Sequence, residues 1–217
     1  MIAFSRELIP AAPNTSFESP LWAQGWHVAG LDEAGRGAWA GPVIAAAVIL
    51  PQDSHLLECL NGVRDSKQVN PANRERLSAI IYQVASAWGV GSASNIEIDT
   101  LGIISATRLA MQRALEILTP PPDYLLLDAI FLPESSIAQT ALVKGDQRSL
   151  SIAAASILAK THRDAVMVEN GGQFPFYGFE HHKGYGTRAH QNALALFGKC
   201  NLHRSSFKPI KNLKQDK

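Results

Sequence analysis

The sequence contains few cysteines, and the two that it has are far apart in the chain. Cys59 and Cys200 form no CxxC pair, which argues against both a disulfide framework and a structural zinc site. We expect both to be free thiols, as is usual in a reducing compartment.

Long hydrophobic runs are also missing. The longest apolar run, residues 41–51, is too short to span a bilayer. Residues 1–24 contain Arg6, Glu7 and several prolines, and they lack the uninterrupted apolar core of a signal peptide. We therefore expect a cytoplasmic protein with no membrane partner, in which residues 1–24 form a flexible leader and residues 25–217 form the folded domain.

Neither sign of charge is in large excess. The 20 Lys and Arg residues nearly balance the 19 Asp and Glu residues, so the net charge is only +1. A nucleic-acid binder that relies on overall positive charge is not indicated, and a basic surface would have to come from local segregation. Lys and Arg are frequent from Lys144 onwards, where they are joined by His181, His182, His190 and His203. These histidines lack zinc-like spacing with cysteine partners, so we expect them to contact phosphate or to lie at the surface.

The hydrophobic pattern predicts an α/β fold with one mixed sheet. Apolar runs predict five strands, at residues 26–31, 42–50, 88–93, 124–129 and 137–143. Helical spacing predicts four helices, at residues 71–87, 96–118, 149–167 and 188–197. The third helix begins with a run of small side chains, which would let it lie close to the sheet.

Four carboxylates stand at or just after the ends of predicted strands. Asp32 and Glu33 end the first strand, Asp128 ends the run YLLLD, and Asp146 follows the last strand and precedes the small-residue helix. A charged carboxylate beside a core is costly unless it is paired or binds a cation. Acids that converge at one rim of a sheet would repel each other, and bound Mg²⁺ or Mn²⁺ would relieve that repulsion. For any one acid a surface turn cap is the simpler interpretation, whereas the set together favours a metal site.

The first pair of acids requires a turn. Adjacent residues of a regular strand point to opposite faces, so Asp32 and Glu33 can share a site only if the chain turns there. Gly35 and Gly37 follow at once and would supply that turn. Arg36, between the glycines, could reach a phosphate or a ribose, although such a tetrapeptide is also common in exposed turns. AGRG matches neither the GxxxxGK[ST] loop nor the GxGxxG pattern, so neither nucleotide-binding fold is supported.

Basic residues outside this loop could also bind phosphate. Lys67 opens a loop before the first helix. Lys160 and Arg163 are three residues apart on the small-residue helix and therefore share a face. Lys160 could instead pair with Asp164, four residues on.

The segment HHKGYGT places an aromatic residue in a basic, glycine-rich loop. Tyr185 lies between two glycines and close to Lys183. An exposed aromatic side chain in such a loop suits stacking on a base or a sugar. A tyrosine that closes the edge of the core is an equally good interpretation of this segment alone.

Six segments, taken in order along the chain, resemble the motifs of the ribonuclease HII family. They are GLDEAGRGAWAGPVIAAAVIL from Gly30, RDSK at 64–67, LLLDAI at 125–130, KGDQRSLSIAAASILAKTHRD at 144–164, YGFEHHKGYGT at 177–187 and HRSSF at 203–207. Each motif alone is weak evidence. The ordered set extends from about residue 26 to residue 209 and is highly specific.

The resemblance implies a ribonuclease-H-like α/β fold, in which helices flank a mixed sheet and a C-terminal helical region follows. It implies an endonuclease that hydrolyses the RNA strand of RNA–DNA hybrids and acts on single ribonucleotides embedded in duplex DNA. We take a monomer as the default state.

The resemblance also assigns roles to residues of this chain. Two Mn²⁺ or Mg²⁺ ions would be held by Asp32, Glu33, Asp128 and Asp146. The junction between a ribonucleotide and DNA would be read by Gly35, Arg36, Gly37 and Tyr185. From the charges alone we expect phosphates to be bound by Lys67, Lys160, Arg163 and Lys183.

A few positions depart from the family pattern. The leader before Trp26 has no counterpart, Ser205 stands where a larger and often basic residue is expected, and His181 is an extra histidine. These departures bear on the fine contacts to DNA and not on the chemistry.

Two other functions stay open at this point. Another nuclease on the same fold, such as a junction resolvase, would share an acidic metal site but would not need a sensor for the 2′-hydroxyl. A non-catalytic module that binds hybrids would use the acids structurally, although the intact set of four argues against it.

Overall fold

The computed structural model describes residues 6–213, and a five-stranded sheet lies at its centre. The strands are β1 (Val28–Ala34), β2 (Val43–Ile49), β3 (Ala87–Ala93), β4 (Tyr124–Asp128) and β5 (Ala138–Leu142). They lie in the order β3-β2-β1-β4-β5. The β3-β2 and β2-β1 pairs are antiparallel, and the β1-β4 and β4-β5 pairs are parallel. The prediction of a mixed sheet is confirmed.

Helices surround this sheet. They are α1 (Ser19–Trp22), α2 (Leu56–Cys59), α3 (Pro71–Val84), α4 (Asn95–Leu101), α5 (Ile103–Leu115), α6 (Leu150–Gln173), α7 (Phe179–His182), α8 (Arg188–Phe197) and α9 (Lys208–Lys211). Short 3-10 helices occupy Arg6–Leu8, Ser66–Gln68 and Gly145–Gln147. Within residues 6–213, none of the helices has both the length and the apolar character needed to cross a membrane.

Two long helices cover opposite faces of the sheet. α6 packs on β1 and β2, and α5 packs mainly on β2 and β3. Val28 and Leu126 lie in the core under α6, whereas Leu31 and Leu127 lie in the core under α5. Because side chains alternate along a strand, the even-numbered residues of β1 and β4 face α6.

β1 and α6 approach each other closely at Gly30. A Cβ atom at this glycine would lie 2.2 Å from the carbonyl carbon of Ser151. The alanines of α6 that follow, Ala153, Ala154 and Ala155, are fully buried. The expectation that the small-residue helix lies close to the sheet is confirmed.

Some element boundaries differ from the predicted ones. The predicted helix at 96–118 is broken by Gly102, whose φ of 78° ends α4 and precedes α5. Glycine adopts a positive φ without a steric penalty, and the helical spacing on both sides conceals the break. β1 also continues to Ala34, beyond its predicted end at residue 31.

Residues 13–24 pack on the domain, in contrast to the expected flexible leader. The carboxylate of Glu18 is fully buried and accepts hydrogen bonds from Ser149 Oγ at 2.6 Å and from the backbone N of Ser151 at 3.0 Å. A proline-rich segment without periodicity gives no sequence signal for such tertiary anchors. Residues 1–5 of the predicted leader lie outside the described residues.

The C-terminal helical region is built around buried rings. His190 and His203 are 0% and 2% exposed, and their Nε2 atoms lie 3.0 Å apart. They pack with Phe179 and Tyr177, so the expectation that these two histidines contact phosphate or lie at the surface is wrong. Burial lowers the pKa of both rings to about 4. His181, by contrast, is exposed.

Candidate functional site

Three carboxylates converge where β1 and β4 end. One oxygen from each of Asp32, Asp128 and Asp146 lies within 4.8 Å of the others. β1 and β4 are parallel, so their carboxyl ends lie at the same edge of the sheet, and the alternation of side chains turns Asp32 and Asp128 to the α6 side. Asp146 comes from the 3-10 helix that leads into α6.

The turn that carries Asp146 is tied to the end of β4. The backbone N of Gly145 donates to Oδ1 of Asp128 at 2.7 Å. A Cβ atom at Gly145 would lie 2.7 Å from Cδ1 of Ile152, which can rotate away, and 3.3 Å from Cβ of Leu142, so the chain passes close to both β5 and α6 here. These contacts fix the third acid relative to the other two.

The three carboxylates have raised pKa values. Burial raises the pKa of Asp32 well above its usual value, and repulsion from Glu33, Asp128 and Asp146 adds to the effect. Burial and then repulsion from Asp128 raise the pKa of Asp146 to about 7, and burial raises the pKa of Asp128. A bound cation would offset both the burial of charge and the repulsion. An all-oxygen donor set suits the hard ions Mg²⁺ and Mn²⁺.

Glu33 lies beside this group but is not one of the three converging carboxylates. β1 runs regularly through Glu33 to Ala34, so the expected turn follows the acid pair and does not separate its members. Oε1 of Glu33 accepts a hydrogen bond from Nη1 of Arg36 at 3.2 Å. Its Oε2 is buried and has no hydrogen-bond partner among residues 6–213. Burial raises the pKa of Glu33, and Arg36 acts in the opposite direction.

A fifth acid, Asp65, borders the site, and the sequence pattern did not single it out. Asp65 is 6% exposed and caps the 3-10 helix Ser66–Gln68 by accepting a hydrogen bond from the backbone N of Lys67 at 3.0 Å. Its Oδ2 accepts from Nε2 of Gln147 at 3.2 Å. After burial and Asp128, repulsion from Asp65 is the next cause of the raised pKa of Asp146. An Asp just before a short polar turn was the available signal.

Lys67 places an accessible positive charge at the rim of the acidic group. Its side chain is 76% exposed, and its Nζ lies 3.7 Å from Oδ1 of Asp65. Partial burial lowers the pKa of Lys67, but the attraction of Asp65, Asp32 and the other site acids outweighs this and raises the pKa overall. The amine is therefore charged at neutral pH.

The loop after β1 carries a partly exposed arginine between two glycines. Gly35 has a φ of 99°, and a Cβ atom there would lie 1.9 Å from Nε of Arg163. A Cβ atom at Gly37 would meet nothing within 4 Å. The side chain of Arg36 is 39% exposed. Gly35 is thus required by conformation and by space, whereas Gly37 leaves the backbone open to a ligand.

Arg163 is not available to a phosphate. Its side chain is fully buried, and its guanidinium donates to the carbonyl oxygens of Pro42 at 3.0 Å, Lys183 at 3.0 Å and Ala40 at 3.2 Å. The prediction of a direct phosphate contact at Arg163 is contradicted by this burial. Helical spacing placed Arg163 beside Lys160, but it carried no information on the loops that cover this part of α6.

Tyr185 lies over two cations of α6. Its ring centroid is 5.6 Å from Nζ of Lys160 and 5.2 Å from Cζ of Arg163, and the residue is half-buried. Lys160 also forms a salt bridge with Asp164, as in the alternative interpretation of the sequence. Lys183 is half-buried and donates from Nζ to a nearby backbone carbonyl.

Known proteins share the sequence pattern over most of the chain. The sequence profile described as Ribonuclease HII matches residues 29–210. The ribonuclease HII of Chloroflexus aurantiacus is 51% identical over 200 residues, which cover 91% of this chain and 94% of the relative.

Solved structures share the architecture. A chain of the PCNA:RNase HII complex from Archaeoglobus fulgidus has a TM-score of 0.71 and 26% identity, with 88% of this chain and 98% of that chain covered. Bst-RNase HIII in complex with Mn²⁺ has a TM-score of 0.64 and 18% identity, with 86% and 68% covered, and shows the same fold. The fold is the ribonuclease-H-like one that the motifs implied. Because the profile and the relative both match most of the sequence, this chain belongs to the ribonuclease HII family.

Proposed function

We propose that this protein cuts the RNA strand of RNA–DNA hybrids by two-metal hydrolysis and also cuts at single ribonucleotides embedded in duplex DNA. The products would carry 5′-phosphate and 3′-hydroxyl ends. The observation that supports this most directly is the convergence of Asp32, Asp128 and Asp146 beside the exposed amine of Lys67.

Membership of the family is enough to support endonuclease activity on RNA–DNA hybrids. Members of the ribonuclease HII family are endonucleases that act on the RNA of RNA–DNA hybrids, and they use divalent metals. We further infer that this protein uses two ions, either Mn²⁺ or Mg²⁺, and that it accepts single ribonucleotides embedded in duplex DNA.

The donor set of this chain fits divalent cations. Asp32 and Asp128 would be the principal ligands of the ions, and Glu33 and Asp146 would complete the ligand set. The raised pKa values of the three converging acids support this, because burial and mutual repulsion outweigh the positive charges nearby and leave room for a cation to stabilise the carboxylates. The buried and unpartnered Oε2 of Glu33 supports it too, since such an atom is costly without a ligand.

These residues would hold divalent ions, whose chemistry would be to lower the pKa of an attacking water and to stabilise the departing 3′ oxygen. Binding and orienting the substrate depend on the side chains of the protein. The acids repel the substrate's phosphates, and Lys67 would offset that repulsion at the rim of the site by pairing with a phosphate oxygen. Arg36 and Lys183 would hold phosphates further along the strand.

Recognition of RNA needs a group that senses the 2′-hydroxyl, which is what distinguishes RNA from DNA. The backbone groups of Gly35–Gly37 are our candidates, because a ligand can approach Gly37 without meeting a side chain. Tyr185 would pack on the sugar that follows the ribonucleotide. Lys160 and Arg163 lie close to the Tyr185 ring, which supports its orientation.

The test is incubation with duplex DNA that contains one ribonucleotide, with and without Mn²⁺ or Mg²⁺, followed by mapping of the cut. We expect metal-dependent cleavage at the ribonucleotide. Asp32→Asn and Asp128→Asn should nearly abolish cleavage while the hybrid still binds. Glu58→Gln is the matched control, because this carboxylate is 86% exposed on α2. Full activity in either Asn variant would contradict the ligand assignment.

The two alternatives give different results in the same assay. Cleavage of all-DNA junctions without cleavage of hybrids would select a junction resolvase. Hybrid binding that survives EDTA, with no product under either metal, would select a non-catalytic binding module.

A further inference from the structure

Two fully buried arginines lie behind the loop that carries Arg36. Arg163 and Arg204 both have 0% exposure. A buried guanidinium is costly unless its donors are satisfied, and here backbone carbonyl oxygens satisfy them. Those carbonyls belong to the two loops that would contact nucleic acid.

Arg204 holds the loop after β1 at both of its ends. Its Nη1 donates to the carbonyl of Arg36 at 3.0 Å. Its Nε donates to the carbonyl of Gly41 at 2.9 Å, and its Nη2 donates to that of Pro42 at 3.0 Å. The backbone N of Arg204 also donates to the carbonyl of Trp39 at 2.8 Å. One side chain thus fixes the carbonyl oxygen of the exposed arginine relative to β2.

Arg163 joins the same loop to the loop of Tyr185. It donates to Pro42 on one side and to Lys183 on the other, at 3.0 Å each. The carbonyl oxygen of Pro42 accepts from both arginines. Trp39 adds a second connection, since its backbone N donates to the carbonyl of Gly184 at 2.8 Å. The two loops are therefore held by one set of hydrogen bonds.

We propose that Arg204, together with Arg163, is a positioning residue that sets the distance between the Arg36 loop and Tyr185 and so restricts cleavage to one register on the substrate. This inference rests on the proposed function, because it assumes that both loops contact the strand to be cut.

A fixed distance between the two loops would affect two substrates differently. A single ribonucleotide in DNA offers one 2′-hydroxyl and hence one productive register. An all-RNA strand offers a 2′-hydroxyl at every position, so a displaced loop can still find one. Loosening the loops should therefore slow cleavage of the first substrate more than that of the second.

The variants are Arg204→Met and Arg204→Lys, with Arg108→Met as the matched control. Arg108 also donates to a backbone carbonyl, that of Phe131 at 3.0 Å, but it lies on α5, on the other face of the sheet. Lysine keeps the charge of Arg204 but cannot reach three separate carbonyls. Single-turnover rates are measured on both substrates at saturating Mn²⁺.

We expect the ratio of the single-ribonucleotide rate to the all-RNA rate to fall by about tenfold or more in Arg204→Met. Arg204→Lys should show a smaller fall in the same direction, and Arg108→Met should leave the ratio unchanged. A ratio that stays constant in both Arg204 variants, whatever the absolute rates, would overturn the inference. If the methionine variant does not fold, the lysine variant decides.

A second measurement needs no substrate. Amide hydrogen exchange of residues 36–42 should be faster in either Arg204 variant than in the wild type, while exchange in β3 stays the same. If the wild type cut only the all-RNA hybrid, the embedded-ribonucleotide part of the proposed function would fail. Unchanged exchange at residues 36–42 would then overturn the positioning role independently.

Discussion

Asp146 joins the acidic group from a 3-10 helix, and burial together with Asp128 raises its pKa to about 7. The side chain of an Asp in an unfolded chain has a pKa of about 3.9. The folded state therefore binds this proton more tightly than the unfolded state does. The resulting stabilisation is present at low pH and is lost as the pH rises through about 7.

The direction of this pKa shift predicts how the stability of the metal-free protein depends on pH. Between about pH 5 and pH 8 the wild type should lose thermal stability relative to Asp146→Asn, which carries no charge at this position. Added Mn²⁺ or Mg²⁺ should raise the melting temperature of the wild type more at the upper end of this range, because the cation binds the deprotonated carboxylate.

The prediction is checked by measuring the melting temperatures of the two proteins across this pH range. The comparison cancels the contribution of His190 and His203, whose pKa values are lowered to about 4 in both proteins. Identical pH dependence in the wild type and in Asp146→Asn would contradict the prediction.

The sequence could predict the location of some side chains of the site but not of others. Asp32 and Asp128 end apolar runs, and a run of that kind reveals the end of a strand. The buried environment of Arg163 could not be predicted, because the loops that bury it come from distant parts of the chain. Glu33 was predicted to share the site through a turn, but the strand register, which depends on pairing with β2, keeps it regular.

The positions of the converging acids depend on the contact between β1 and α6. It holds Asp32 two residues after Gly30, whose absent side chain lets Ser151 approach. A larger residue at Gly30 would push α6, and with it the turn of Asp146, away from the strand.

We therefore expect Gly30→Ala to reduce the free energy of unfolding by about 1–3 kcal/mol or more, because the added methyl group meets backbone atoms that cannot rotate away. Chemical denaturation of the wild type and the variant measures this.

Gly172→Ala is the control within the same helix. A Cβ atom at Gly172 meets nothing within 4 Å, so this change should be neutral or stabilise the protein by about 0.5–1 kcal/mol. An equal loss of stability in both variants would show that close packing at Gly30 is not the cause.

For helices and strands, the hydrophobic pattern of the sequence predicted those elements whose position depends on local sequence. Apart from the end of β1, the strands and α8 lie within one or two residues of where apolar runs and helical spacing placed them. The break at Gly102 was missed because one glycine inside a periodic segment does not reveal its φ. The packing of residues 13–24 was missed because Glu18 is anchored by Ser149 and Ser151, at the start of α6 and more than a hundred residues away.

The whole molecule has a net charge of only +1, so its affinity for nucleic acid must come from a few placed cations. Each phosphate contact releases counterions, and the slope of log affinity against log salt counts such contacts. Lys67→Gln should therefore reduce the magnitude of that slope by about 1. Binding titrations at several salt concentrations measure it.

The control for this prediction is Arg108→Gln, which removes the same charge from the face covered by α5. Its slope should match that of the wild type. An equal reduction in both variants would mean that overall charge, and not the placement of Lys67, determines binding.

The hydrogen bond between Arg204 and the carbonyl of Arg36 joins residues 168 positions apart in the chain. During translation the acids of β1 therefore leave the ribosome well before the side chain that secures the neighbouring loop. A nascent chain stopped before Arg204 would therefore carry all of the acids without this support. If the proposed function holds, selectivity for a lone ribonucleotide would therefore be acquired only once Arg204 has been added to the chain.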